Sequence, residues 1–196
     1  MQLSMDSNIA AFRRKMLKEQ KSQLPFATAR ALTWTGREVK EQTERRIERA
    51  FDRPTSFTKR GVAAFPASKS RMYSRVLIKD RQAEYLSLQE TGGTRTPDGR
   101  ALVVPVGART NRYGNLPRGG VRRMLARSDT FSGRVRGVPG IWQRTRGGSV
   151  KLLVSYEPRA EYRPRFEFAE RARREARRRF PDNFERSFKQ AMDTAR

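Results

Sequence analysis

The sequence predicts an α+β fold: a small, mainly antiparallel sheet packed against long helices, with an Arg-rich extended loop or arm. Three observations predict it. Apolar residues recur at three- and four-residue steps over long stretches near both ends of the chain, as on amphipathic helices. Short apolar runs between turn residues indicate strands in the middle. A stretch at about 107–148 is rich in Arg and Gly and follows neither period.

The first quarter of the chain is predicted to form two helices. Asp6 or Ser7 can cap the first, which extends to about Gln23. Pro25 is well placed to start the second helix, over about residues 26–51, because its missing N–H costs nothing in a first turn. The apolar and Thr positions of this second helix repeat on one face: Leu32, Thr35, Val39, Thr43, Ile47 and Ala50.

The next residues read as short strands and one short helix. Residues 61–67 and 72–78 predict a hairpin, and a helix of about 80–90 follows, ended by Gly92 and Gly93. An apolar strand is expected at 101–106. Pro105 predicts either an edge position or an early end for that strand, because proline cannot donate to a central ladder.

The Arg-rich stretch at 107–148 is the least regular part of the sequence. It contains a predicted short helix at 118–127 and extended pieces at 131–138 and 141–142. A clear strand follows at 150–156. Its alternation predicts Val150, Leu152 and Val154 on one face, with Lys151 and Ser155 on the other.

The last predicted element is a long helix from about Pro164. Its apolar positions recur every four residues: Phe168, Ala172, Ala176, Phe180, Phe184, Phe188 and Met192. Such spacing drifts around a helix of 3.6 residues per turn, so the stripe should wind. Pro181 is expected to divide the element into two helices near Phe180.

These elements predict three segments along the chain. Residues 1–24 form an N-terminal helix or arm, and residues 25–160 form an α+β core. The Arg-rich insertion lies within that core, at about 107–148. Residues 161–196 form a C-terminal helical segment.

Charge is the strongest compositional feature. The chain has 44 Lys and Arg against 20 Asp and Glu, a formal net charge of +24. Such a balance predicts a polyanionic neighbour, either nucleic acid or an acidic protein surface. The candidate contact residues, for DNA or for a partner protein, are Arg109, Arg112, Arg118, Arg122, Arg123, Arg127, Arg134, Arg136, Arg144 and Arg146. Arg forks fit phosphates and carboxylates equally, so both alternatives stay open.

A second basic cluster follows the outer face of the last helix. It consists of Arg171, Arg173, Arg174, Arg177, Arg178 and Arg179. Nearby Glu residues offset part of this charge, so a solvated helical face is the favoured interpretation and a DNA-facing surface the second.

The sequence predicts no catalytic, cofactor-binding or metal-binding residues. Cys and His are both absent, which removes thiol nucleophiles, disulfides and the usual zinc ligands. The scattered acids form no paired motif, although a metal-dependent nuclease using Asp80, Glu84 or Glu90 stays as the weakest alternative. No apolar run could span a membrane, and the N-terminus lacks a signal peptide, so cytoplasmic synthesis is expected.

Five segments taken in order resemble a known family. They are 24–33 (LPFATARALT), 51–58 (FDRPTSFT), 85–86 (YL), 90–93 (ETGG) and 111–119 (NRYGNLPRG). Together they resemble the lambda Z-like minor tail or tail-completion proteins of tailed bacteriophages. The resemblance covers most of residues 24–156, and the terminal helix carries no signature of it.

The resemblance implies a non-enzymatic structural protein of the virion, made in the host cytoplasm and placed at the head–tail junction. It implies a small α+β subunit in a homo-oligomeric ring, commonly hexameric. Its implied neighbours are other neck and tail proteins: a tail terminator, a head–tail stopper or adaptor, and the tail tube or tape measure. Double-stranded DNA in the channel is a further partner. The alternative is a nonspecific nucleic-acid-binding protein outside any virion.

Overall fold

A computed structural model describes residues 1–5 and 18–194 of the chain, and it confirms the α+β class. The helix predicted to begin at Asp6 or Ser7 falls mostly on residues 6–17, which lie outside the described residues. The chain divides into two compact units. The first unit consists of Met1–Glu90 together with Arg165–Arg196, and the second of Thr91–Pro164. These borders differ from the predicted segment borders at 24/25 and 160/161, because the terminal helix belongs with the first helix.

The first unit combines two long helices, two short helices and a three-stranded sheet. Its strands are β1 (Gln2–Met5), β2 (Val62–Phe65) and β3 (Ser74–Ile78), and its helices are α1 (Lys18–Ala50), α2 (Ser56–Lys59), α3 (Asp80–Thr91) and α5 (Phe168–Asp193). The sheet order is β1-β3-β2, with both pairs antiparallel. The hairpin predicted at 61–67 and 72–78 and the helix predicted at 80–90 are therefore confirmed. Strand β1 was not predicted.

Helices α1 and α5 pack antiparallel along their length, since Arg30 meets Ser187 while Arg46 meets Glu167. The predicted face of α1 is buried at Leu32, Val39 and Ile47. The core of the unit consists of Leu32, Val39, Ile47, Val62, Val76, Ile78, Leu86, Phe166, Phe168, Ala172 and Ala176.

The predicted helix break at Pro25 is wrong, because α1 runs through it without interruption. Leu24 and Ala27, on either side of Pro25, are at most 1% exposed. The hydroxyl of Thr28 donates to the Leu24 carbonyl, and the hydroxyl of Ser187 on α5 donates to the Ala27 carbonyl. Tertiary packing therefore outweighs the one backbone hydrogen bond that proline removes.

The predicted break at Pro181 is also wrong, since α5 continues to Asp193. Pro181 lies on the exposed side of the helix, so water can reach the backbone group that it leaves unpaired. Buried side chains before and after it, Ala176 and Asn183, hold the helix against α1.

The buried face of α5 changes register along the helix. It follows the predicted four-residue steps through Phe168, Ala172 and Ala176 and then passes to Asn183, Ser187 and Ala191. The predicted positions Phe180, Phe184, Phe188 and Met192 are half-buried instead. Four-residue steps drift about 40° each around a helix, and the seven-residue step from Ala176 to Asn183 turns the buried direction back by about 20°.

The second unit is built on a four-stranded antiparallel sheet. Its elements are β4 (Gly93–Arg95), β5 (Leu102–Pro105), α4 (Gly120–Leu125), β6 (Thr130–Val135), β7 (Val138–Arg144), β8 (Val150–Glu157) and β9 (Ala160–Tyr162). The sheet order is β5-β8-β7-β6, and β4 pairs separately with β9. Strand β5 lies at the sheet edge, one of the two alternatives that Pro105 predicts.

Residues 107–148, predicted to form an extended loop or arm, instead contribute part of the sheet of the second unit. The short helix and the extended pieces predicted within this stretch are present as α4, β6 and β7. Four of its ten arginines therefore stand on regular structure, and the other six lie on the turns and loops between. Two of the glycines in this stretch serve close packing: a Cβ at Gly107 would lie 2.6 Å from the Leu152 carbonyl oxygen, and one at Gly140 would lie 2.2 Å from the Val154 carbonyl oxygen.

Strand β8 is confirmed, but its predicted alternation of faces is interrupted. The register passes from Ile141↔Val154 to Trp142↔Leu152, which leaves Leu153 as the extra residue of a β-bulge. Leu153 and Val154 are therefore buried side by side. They form a small core with Ile141, packed by Ala108, Leu116, Val121, Met124 and Tyr156.

Candidate nucleic-acid interface

All ten arginines predicted as contact residues have exposed side chains in the second unit. Among the described residues, Arg127 is the one member of the set with a carboxylate partner. The unit as a whole carries fifteen basic and four acidic residues, a net charge of +11 on 74 residues. A surface of this kind attracts polyanions and retains most of its guanidinium groups for them.

The ten arginines do not form a single patch. Arg134 and Arg136 lie at one end of the sheet, at the β6–β7 turn, and Arg144 and Arg146 lie at the other, around the β7–β8 loop. The seven residues of β7 separate the two ends by roughly 20 Å at about 3.4 Å per residue. The sequence grouped these residues because they are close along the chain.

The β6–β7 turn holds Arg136 in a fixed position. Arg136 and Gly137 are its two central residues, with φ of 49° and 82°. Positive φ at both positions is the geometry of a type I′ turn, which suits the twist of a two-residue hairpin. The guanidinium of Arg134 donates to the Gly137 carbonyl at 3.1 Å and stabilises the turn, and the side chain of Arg136 is exposed.

The β7–β8 loop presents the second pair. Its ends are joined by Thr145 and Ser149, whose hydroxyl oxygens lie 2.7 Å apart. Arg146 lies between them and is exposed. The guanidinium of Arg144 lies 4.5 Å from the ring centroid of Phe131 on the neighbouring strand, a cation–π contact that leaves its N–H edge open.

The segment 111–119 is a compact turn. The side-chain oxygen of Asn111 accepts from the N–H groups of Tyr113 and Asn115, at 2.9 and 3.1 Å. Arg112 stacks on the Tyr113 ring, 4.7 Å from its centroid. Gly119, at φ 70°, precedes helix α4. The Arg–Tyr pair is an amphipathic surface suited to a nucleic-acid backbone and base.

Helix α4 and the loop before it enclose a cleft of about 650 Å³. Arg109, Arg123 and Arg127 line it, together with Asn111 and Gln143. The structure thus brings together three predicted contact residues that are up to 18 positions apart in the sequence. No local pattern identified this cleft, because its walls come from a loop, a helix and two strands.

Asp129 fixes Arg127 at the end of the cleft. Arg127 donates to both carboxylate oxygens, at 2.9 and 2.7 Å, and Gln143 donates to one of them at 2.8 Å. The hydrogen bond from Arg127, followed by that from Gln143, lowers the pKa of Asp129, and the same pair raises the pKa of Arg127. Arg127 is therefore held by a carboxylate that stays charged well into the acid range.

The second basic cluster, on α5, is largely paired within its own helix. Arg171 pairs with Glu167, Arg174 with Glu170, and Arg178 with Glu175. This pairing, at three- and four-residue spacing, favours the solvated-face interpretation over a DNA-facing surface.

One arginine on α1 has a role that sequence reasoning missed. Arg46 donates to the carbonyl oxygens of Arg165 and Phe166 and pairs with Glu167 at 3.4 Å. Arg46 therefore holds residues 165–167, which immediately precede α5, against α1. It has no local sequence signal, because its partners lie about 120 residues away.

One of the acids considered for a nuclease, Glu90, has a structural role. Glu90 accepts from the backbone N–H groups of Phe168 and Ala169, at 2.6 and 3.0 Å, and so caps the start of α5. Across the described ranges, no group of three or more acidic side chains is arranged to hold a metal ion.

Some residues of the segments that carry the family resemblance also make contacts that hold elements of the fold together. Thr55 caps α2, and the hydroxyls of Thr58 and Tyr85 lie 3.1 Å apart, which connects α2 to α3. Gly92, at φ 74°, packs so closely that a Cβ would lie 3.0 Å from the Pro164 ring.

A search of protein-family models, curated proteins and solved structures finds no match to this chain. Within the described part of the chain, no helix has the length and apolar character needed to cross a bilayer.

Proposed function

We propose that this chain is a structural protein of a tailed-phage virion, a tail-completion or neck component that joins or finishes the tail at the head–tail interface. It works without catalysis. Its second unit turns exposed arginines toward the DNA channel or toward acidic faces of neighbouring neck and tail proteins. The subunits form a homo-oligomeric ring, hexameric if the family resemblance extends to assembly.

The observation that carries the proposal is the set of exposed arginines on a folded scaffold. Nine of the ten have no carboxylate partner among the described residues, although unpaired charge at this density disfavours a compact isolated subunit. An assembly around DNA supplies the missing negative charge. The resemblance of five segments of this chain to tail-completion proteins supports the place at the head–tail junction.

Electron microscopy of lysates tests the proposal directly. The gene is deleted from the phage or prophage that carries it, and particles are compared with the undeleted parent. We expect filled heads and separate tails of normal length that do not join into infectious particles. Normal complete virions would overturn the structural role.

The unpaired arginines equally favour a nonspecific nucleic-acid-binding protein outside any virion. The two functions differ in solution behaviour. A free binder is a monomer or dimer that binds duplex DNA tightly, with log K falling steeply against log salt. A ring component binds weakly until assembled. Mass in solution and the salt slope, measured on the same preparation, separate the two.

A further inference from the structure

We propose that the cleft between helix α4 and the loop at 107–117 binds a short acidic peptide segment of another protein, anchored by an aliphatic side chain. The inference concerns one site within the arginine-bearing surface that the proposed function uses, and it does not rest on that function. It stands whether the chain acts in a virion or as a free nucleic-acid-binding protein.

The cleft has an apolar floor and a cationic rim. Leu116, Met124 and Leu153 belong to its lining, and all three take part in the small core of the second unit. Arg109, Arg123 and Arg127 supply the charge around them. A ligand that fits must offer an apolar group flanked by anionic groups. Met124 can adapt its unbranched side chain to such a group.

The rim has unused binding capacity. Arg127 is already paired with Asp129, so less of its charge is available to a ligand. Arg109 and Arg123 are exposed and have no carboxylate partner among the described residues. A guanidinium group binds a carboxylate through two parallel hydrogen bonds, so two free forks can hold two acidic side chains.

The loop wall of the cleft is preformed. The N–H groups of Val106, Gly107 and Ala108 all point at the Leu153 carbonyl oxygen, at 3.0 to 3.1 Å. Gly107 is required there, because a Cβ would lie 2.6 Å from the Leu152 carbonyl oxygen. A fixed wall lowers the entropy cost of binding, as is usual for ligand clefts.

The composition of the lining favours a peptide over nucleic acid. Proteins that hold unpaired bases stack them on aromatic rings, and none of the described residues lining this cleft is aromatic. The rings that accompany arginines in this unit, Tyr113 and Phe131, are not among the lining residues. Aliphatic side chains and Met match an aliphatic anchor better.

The occupant is a different protein, because this chain has no suitable segment. Its twenty acidic residues never stand side by side, and the chain as a whole carries +24. A second copy would bring like charge to the rim. A partner with several acidic residues around a Leu or Ile supplies the complementary charge.

Fluorescence anisotropy on the full chain tests the inference. The probes are a fluorescein-labelled Asp-Asp-Leu-Asp-Asp peptide, an Asp-Asp-Ser-Asp-Asp peptide of equal charge, and a labelled 20-nucleotide oligo-dT strand. We expect the Leu peptide to bind about tenfold more tightly than the Ser peptide, because its side chain is buried on the floor.

The matched variants are Arg109→Gln/Arg123→Gln in the cleft and Arg136→Gln/Arg146→Gln at the two ends of the sheet. Both remove two exposed arginines that lack a carboxylate partner among the described residues. We expect the first to weaken the Leu peptide about tenfold or more and the second less than about threefold. Equal losses, or equal binding of the two peptides, would overturn the inference and leave general charge attraction.

A methyl NMR spectrum of the unsubstituted protein tests the same inference without any variant, so misfolding of a variant cannot affect the result. Addition of the Leu peptide should shift the methyl signals of Leu116 and Met124 and leave those of Val76 and Ile78 in place. Unmoved Leu116 and Met124 signals would overturn the inference. So would oligo-dT binding that depends on Arg109 and Arg123 more than peptide binding does, which would assign the cleft to nucleic acid.

Discussion

The side-chain amide of Asn183 on α5 lies 3.1 Å from the hydroxyl oxygen of Thr35 on α1 and 3.0 Å from a carboxylate oxygen of Glu38. Asn183 and Thr35 are buried, at 4% and 0% exposure. This polar contact lies where the terminal stripe changes register, and it fixes how the two long helices align.

Asn183→Ala should therefore destabilise the first unit. The substitution leaves the buried Thr35 hydroxyl without its Asn183 donor and removes one of the two partners of the Glu38 carboxylate, at a cost of about 1–3 kcal/mol. Urea unfolding followed by circular dichroism measures it, with Asp182→Ala on the exposed side of the same turn as the control. Equal stability of the two variants would show that the amide does not hold the helices together.

Gly140→Ala should disrupt the sheet of the second unit. Its Cβ would lie 2.2 Å from the Val154 carbonyl oxygen and 2.8 Å from a Leu152 methyl carbon, so strands β7 and β8 would have to separate. We expect a loss of about 3 kcal/mol or more, at the upper end for overpacking. Gly147→Ala is the matched control, because a Cβ there meets no atom within 4 Å. Thermal melting of both variants decides the prediction, and a Gly140→Ala protein that melts like the control contradicts it.

Asp129 gives the second unit a defined response to acid. The hydrogen bond from Arg127 and then that from Gln143 lower its pKa in the folded protein. A lowered folded pKa means that its stabilisation is fully present above the ordinary aspartate pKa of about 3.9 and is lost as the pH falls through the folded value. The melting temperature of Asp129→Asn should lie below that of the parent at neutral pH and converge with it below about pH 4.

Asp98→Asn is the control for that titration, since Asp98 is exposed and has no recorded ion pair among the described residues. We expect its melting temperature at neutral pH to match that of the parent. A difference between Asp129→Asn and the parent that grows toward low pH would show the opposite sign of coupling.

The arginines on and before α4 should act in assembly and not in folding. Replacing Arg118, Arg122 and Arg123 with Glu changes three exposed side chains, none of which has a carboxylate partner among the described residues. We expect a melting temperature close to the parent's, together with loss of infectivity in a complementation assay. Glu at Arg37, Arg173 and Arg177 of the first unit makes the same charge change at exposed positions and serves as the control. Loss of the folded subunit in the first variant would make those residues structural.

The helical and strand elements of this fold were predictable where one period dominates. Leu32, Val39 and Ile47 are buried as their spacing predicts, and Pro105 lies on an edge strand. Both errors at proline have the same cause. A local rule considers only the backbone hydrogen bond that is lost at Pro25 or Pro181. In the folded protein that loss is offset by contacts with a helix more than a hundred residues away.

The candidate site was predictable in residue type but not in arrangement. Exposure follows from the charge of each arginine, and all ten are exposed. Their distribution depends on the bulge at Leu153, the turn at Arg136 and the close packing of Gly140, which have no local signature. The cleft combines Arg109 with Arg123 through such features, so it could not be read from spacing.

The first unit is discontinuous along the chain, since the second unit lies between its two parts. Arg30 lies 157 residues before its partner Ser187 in the sequence, and Thr35 lies 148 residues before Asn183. During synthesis, α1 therefore leaves the ribosome long before α5, and its buried face stays uncovered while residues 91–164 are made and can already fold. Contacts of such long range slow folding and expose apolar surface in the interval. Production of this protein should consequently depend on chaperones and improve at low temperature, independently of how stable the finished subunit is.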